Sequence, residues 1–162
     1  YSDSDAATTT VKTLADEPIG GTVVDVLTAS LFTATSTTYT DFSGVTVTSG
    51  AVYRGNSSKT NGGAIQLRSK NSNSGIVTTT SGGKVRSITV TYESGYNTMD
   101  VYGKNTAYSA AADLYSDSTK GTKIGSISGS GTITITGDYE YIGIRSKSGA
   151  LYITSIEITY EN

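Results

Sequence analysis

The strongest constraint in this sequence is a two-residue alternation of apolar and polar side chains. Ile88, Val90 and Tyr92 alternate with Thr89 and Thr91. Ile65 and Leu67 alternate with Gln66 and Arg68, and Met99 and Val101 with Asp100 and Tyr102. Ile142 and Ile144 alternate with Tyr141, Gly143 and Arg145. Val45 and Val47 repeat the pattern against Thr46 and Thr48, and Ile133 and Ile135 against Thr132, Thr134 and Thr136. Successive strand side chains point to opposite faces, so each run predicts a half-buried strand, apolar side inward. The last run slips phase. Leu151 and Ile153 share one parity, and Ile156, Ile158 and Tyr160 the other. An extra residue at Thr154-Ser155 restores the inward face, so a bulge is predicted there.

Turn-forming clusters separate these runs: Gly55-Asn56-Ser57-Ser58, Asn61-Gly62-Gly63, Asn71 to Gly75, Ser81-Gly82-Gly83, Glu93-Ser94-Gly95, Gly129-Ser130-Gly131 and Lys147-Ser148-Gly149. Short strands at such spacing predict an all-β chain, an antiparallel sandwich or barrel. The longest interruption runs from Asn105 to Lys123. It has room for a helical turn at Ser109–Leu114 or one more strand at Asp113–Ser116. The run Val23–Phe32 fits a first strand or a short helix. Residues 1–22 are polar, hold the single proline, Pro18, and end near Gly20-Gly21. They read as a tail or linker ahead of one domain spanning 23–162.

Composition removes whole classes of chemistry. The chain has no histidine and no cysteine. That excludes His-dependent nucleophilic machinery and the ordinary zinc, copper, haem and iron–sulfur sites. It excludes a disulfide framework as well. A net charge of -2 lacks the positive field that nucleic acid needs, so no nucleic-acid partner is expected. No run of 18 apolar residues predicts a membrane helix. Carboxylates are the only acid–base apparatus left, and the sequence brings no two of them to a catalytic separation, so no enzyme is expected. No cofactor is expected either. Calcium is the one metal the composition suits, with Asp113 and Asp117, or Asp41 near the Asp25 strand, as its candidate oxygen ligands.

The tyrosines are the sharpest binding signal, with 12 of them against two phenylalanines and no tryptophan. Parity turns Tyr102 and Asp100 outward, with Tyr141, Arg145 and Tyr152. Tyr53, Tyr96, Tyr108 and Tyr115 read as loop tyrosines. An exposed ring covers the C–H face of a sugar while polar neighbours bond its hydroxyls. The competing reading is structural, since tyrosine is a good strand residue in its own right.

Several stretches carry a family resemblance. They are Gly63–Ser69, Ser74–Thr80, Gly83–Thr91, Met99–Tyr108, Tyr141–Ser146 and Ala150–Ile156. Together they resemble an accessory module of secreted gut-bacterial proteins, found beside endonucleases, glycan-degrading enzymes and surface attachment proteins. The likeness spans roughly Leu27 to Glu161. It implies a jelly-roll, galactose-binding-like β-sandwich that is non-catalytic, secreted or displayed on the cell surface, and a monomeric part of a multidomain protein. It also implies a carbohydrate ligand. Without tryptophan the platform must be tyrosine, which favours a starch-like α-glucan over crystalline cellulose. The expected ligand set is Tyr102, Tyr141, Arg145, Tyr152, Asp100, Tyr53, Tyr96 and Tyr108. The alternative is a structural or adhesive spacer that grips a protein partner.

Overall fold

A computed structural model describes residues 21–32, 38–60, 63–94 and 96–162. The strands are β1 (Thr22–Leu27), β2 (Thr40–Thr46), β3 (Val52–Lys59), β4 (Ile65–Arg68), β5 (Gly75–Thr80), β6 (Lys84–Ser94), β7 (Met99–Lys104), β8 (Thr122–Ile127), β9 (Gly131–Thr134), β10 (Tyr141–Ser146) and β11 (Ala150–Glu161). The helical elements among the described residues are 3-10 turns, Ala29–Phe32 and Ala111–Tyr115. The chain is all-β, as the alternation predicts. Most of the expected tail lies outside the described residues, and Thr22 already belongs to β1. The ambiguous run after it resolves both ways, as a strand followed by a 3-10 turn that buries Ala29 and Phe32.

The ladders are antiparallel and join into one 11-stranded sheet, ordered β8-β7-β10-β5-β3-β4-β11-β6-β9. β1 pairs with β11 and β2 with β3. The two ends of this path, β8 and β9, touch, so the sheet nearly closes on itself. β3 carries the chain from one half to the other. Its residues Val52–Asn56 pair with β5, while Ser58 and Lys59 pair with β4. The apolar faces of both halves meet in one core. Ile76, Met99, Val101, Ile142 and Ile144 come from one half; Ile88, Val90, Leu151, Ile153, Ile156 and Ile158 come from the other. Each such side chain contributes about 1.5–3 kcal/mol on burial.

The predicted bulge is present. The β11–β6 register shifts between Ile153 and Ser155, leaving Thr154 unpaired in that ladder. Residues on both sides of the slip thereby keep their apolar side chains in the core. The same point is where β11 changes neighbours: Ala150–Ile153 pair with β4, and Ile156–Glu161 with β1.

Two expectations about turns need correction. Gly55-Asn56-Ser57-Ser58 is not a turn but the middle of β3, and Glu93 and Ser94 belong to β6. Gly55 is there because β3 and β5 approach closely, and a Cβ would strike the backbone of Gly75. Pairing with β2 and β5 on either side satisfies its backbone, so tertiary context overrides turn propensity. Strand β8 falls partly inside the stretch read as an interruption. The Asn61-Gly62 part of the next turn, and Gly95, lie outside the described residues.

Residues 105–121 fold back over the outer face of β5, β7 and β10. They build a second, smaller cluster of Val77, Tyr102, Tyr108 and Leu114, with Tyr115 and Tyr141 packed against it. Leu114 is the plug. It lies over Gly143, where any Cβ would collide with it, and a Cβ at Gly75 would stand 3.1 Å from its Cδ1. The glycine in Tyr141-Ile142-Gly143-Ile144-Arg145 is therefore a socket, not a flexibility point.

Candidate functional site

The expected tyrosine platform is where parity puts it, but it is covered. Tyr102 is 7% exposed and Tyr108 2%. Both rings form the inner surface of the second cluster. Tyr141 is half-buried beside them. Cations from β7, the cover and β10 lie over three of the rings in and beside this cluster. Lys104 Nζ lies 4.2 Å from the Tyr108 ring centre, Lys120 Nζ 5.6 Å from that of Tyr102, and Arg145 Cζ 4.3 Å from that of Tyr115. Arg145 Nη1 further donates to the Leu114 carbonyl at 2.7 Å. The Tyr108 hydroxyl donates to the Lys120 carbonyl at 2.6 Å, and Tyr115 to Ser74 at 2.8 Å. Burial holds both hydroxyls above the usual tyrosine range. The faces expected to meet a sugar meet this chain's own loop instead.

Asp100 shares that face, opposite Arg145 in the β7–β10 register, and is covered as well: it is 3% exposed, accepts a hydrogen bond from the Ser126 hydroxyl at 2.8 Å and lies 3.8 Å from Lys123 Nζ. The other expected residues scatter. Tyr53 is not a loop residue. It sits in β3, fully buried, donating to Asp25 at 2.9 Å and sharing a 2.8 Å hydrogen bond with the Tyr160 hydroxyl. Burial beside Asp25 and Tyr160 drives its ionisation far above the normal range. Tyr152 stands half-buried on the other half of the sheet, opposite Gln66 of β4. Tyr96 alone among the expected tyrosines is freely exposed, at 64%, with its ring stacked 5.7 Å from Tyr92.

The carboxylates named for calcium are each engaged. Asp113 accepts from the backbone N–H of Ser109 at 2.7 Å and of Ala110 at 3.3 Å, anchoring the second 3-10 turn. Asp117 pairs with Lys120 at 2.9 Å. Asp25 points into the core and Asp41 to the outer surface, so the two do not converge. No group of three or more acidic residues gathers among the described residues.

A concave site exists elsewhere. A cleft of about 310 Å³ opens where the cover meets β2 and β3. That lies at the small end of ligand-binding pockets, which run from about 300 to 1,000 Å³. β2 contributes Asp41, Phe42 and Ser43; β3 contributes Arg54 and Gly55. Asn73 comes from the turn before β5, and Ala110, Ala111 and Ala112 from the start of the second 3-10 turn. The register sets Asp41 opposite Asn56, whose Nδ2 donates to Asp41 Oδ1 at 2.9 Å. One lining residue, Asn73, has an amide oxygen buried without a hydrogen-bond partner; so does Asn56, which does not itself line the cleft. Arg54 is exposed and makes no hydrogen bond, ion pair or ring contact among the described residues. The cleft thus combines an exposed carboxylate at Asp41, a guanidinium fork lacking an acceptor, and a wall of alanine methyls.

Of these residues only Asp41 was singled out from the sequence. Arg54 and Asn56 fell in or beside a supposed turn, and Asn73 in a real one. The usable signal was the alternation of Arg54, Asn56 and Ser58 against inward Tyr53, Gly55 and Ser57, muted because two inward positions are glycine and serine. No protein-family model matches the chain, and neither a curated protein nor a solved structure shows significant similarity to it.

Proposed function

We propose that this chain is a non-catalytic carbohydrate-binding module of a secreted or cell-surface bacterial protein, with a jelly-roll fold related to galactose-binding domains. The observation that carries this reading is the cleft between β2, β3 and the cover. Its Asp41 carboxylate is matched by sugar hydroxyls, its free guanidinium by the ring substituents, and its alanine wall by a sugar's C–H face. Such a site grips one sugar unit rather than a flat polymer surface. It works without a tyrosine platform, so a starch-like α-glucan loses its special standing and becomes one ligand in a panel. Binding would concentrate a tethered enzyme or cell at its polysaccharide.

The test is affinity electrophoresis against a panel of neutral and acidic polysaccharides, comparing the native chain with Ala112→Tyr and Asn73→Ala. Ala112 is exposed on the cleft wall, so a phenol there fills the space without touching the core. Retardation by a panel member, lost in Ala112→Tyr at unchanged melting temperature, supports the site. No retardation by any member overturns the reading.

The second reading, a structural or adhesive spacer, is favoured by the covered platform. A sheet face that spends its tyrosines on internal packing suits a rigid module.

A further inference from the structure

We infer that the cleft selects an acidic sugar, a uronate-type residue whose carboxylate is held by Arg54; this rests on the glycan-binding reading above. The argument starts from how this chain treats its other arginines. Arg68 lies 3.7 Å from the Tyr39 ring centre. Arg86 is fixed by Glu161 at 2.6 Å and Asp138 at 3.1 Å. Arg145 is fixed by Tyr115 and the Leu114 carbonyl. Arg54 alone has no partner among the described residues, and it lines the cleft.

Its neighbour Asp41 forms no ion pair with it among the described residues, and one oxygen of that carboxylate is taken by the Asn56 amide. A guanidinium presents parallel N–H donors that match a carboxylate two-to-two, a geometry a neutral hydroxyl cannot fill. The lining carboxylate wants the opposite partner. Asp41 is an exposed acceptor and requires hydroxyl donors. A ligand satisfying both must carry one carboxylate and nearby hydroxyls on a compact ring with an apolar edge for Ala110–Ala112. A uronic acid residue has these groups; a neutral hexose offers the guanidinium no charged two-to-two partner. The chain's net charge of -2 repels polyanions in general, so retention of one points to a specific site.

The experiment is affinity electrophoresis, with chelator present, in gels containing polygalacturonate, its full methyl ester, alginate, neutral galactan or starch. The expected result is retardation by a polyuronate, absent with the methyl ester. Arg54→Gln should weaken it at least about tenfold, Arg54→Lys should weaken it partially, and Lys147→Gln should leave it unchanged. Melting temperatures confirm that each variant is folded. Equal retardation by the acid and its ester, or polyuronate binding that survives Arg54→Gln, overturns the inference and leaves the glycan-binding reading standing. Retardation by neutral polymers alone does the same. Silence across every gel removes both.

Discussion

Asp25 shows how one residue can hold several segments together. It lies in β1, fully buried, and forms no ion pair among the described residues. It accepts the Ser49 backbone N–H at 2.8 Å, the Ser49 hydroxyl at 2.6 Å and the Tyr53 hydroxyl at 2.9 Å. The Tyr53 hydroxyl in turn meets Tyr160 of β11. Four segments are thus tied through one carboxylate: β1, the turn after β2, β3 and β11. A buried polar group is tolerated only when hydrogen-bonded in this way. Asp25→Ala is expected to cost about 2–4 kcal/mol in urea unfolding, because Ser49 loses its acceptors inside the protein. Asp25→Asn keeps the shape and one acceptor, and should cost less. Equal stability of both variants with the parent would show that the network contributes nothing. Nothing local to Asp25 in the sequence indicates where Ser49 and Tyr53 come to lie.

At the scale of elements, the cover over β5, β7 and β10 is held by Leu114 in its glycine socket. Truncating it leaves a cavity between two backbones that cannot collapse further. Leu114→Ala should destabilise the protein by about 2–5 kcal/mol, read from the denaturation midpoint. Gly143→Ala should expel the plug by collision, exposing Tyr102 and Tyr108 to solvent; tyrosine fluorescence quenching by iodide measures that directly. If quenching is unchanged, the plug is not what seals the cover. In β11 the single extra residue Thr154 keeps two apolar runs facing one core. Deleting Thr154 moves Ile156, Ile158 and Tyr160 to the wrong face and should abolish cooperative unfolding in circular dichroism.

Over the whole molecule, tyrosine burial makes alkaline pH the vulnerable direction. Burial pushes the Tyr92 hydroxyl up to about 12 and raises Tyr53, Tyr108 and Tyr160 in the same sense. In the unfolded chain these groups ionise near pH 10. Above that pH the unfolded state has given up protons that the folded state still holds, so stability falls as pH rises. The contribution is intact below about pH 10 and is lost as pH climbs toward 12 and beyond. Phenolate absorbance and circular dichroism should change together in one steep transition above pH 10. Gradual titration of all tyrosines with the fold intact would show that they are open to solvent.

The period-two pattern by itself determined the strands at β4, β6, β7, β9, β10 and β11, the inward identity of their apolar residues, and the bulge in β11. Those are local facts, since pleat geometry alone fixes which side chains share a face. The long interruption left a helical turn and a further strand both open, and the structure gives a 3-10 turn at Ala111–Tyr115. Parity also put Tyr102, Tyr141 and Arg145 correctly on one face. It did not tell whether that face was wet. Only the tertiary structure decided that, by laying residues 105–121 across it and seating Leu114 on Gly143. It likewise made a strand of Gly55–Ser58, through pairing partners distant in sequence, and so assembled the cleft from Asp41, Arg54, Asn73 and Ala110–Ala112. Local sequence sets which way a side chain points; what it meets there depends on segments brought together by burial of the common core.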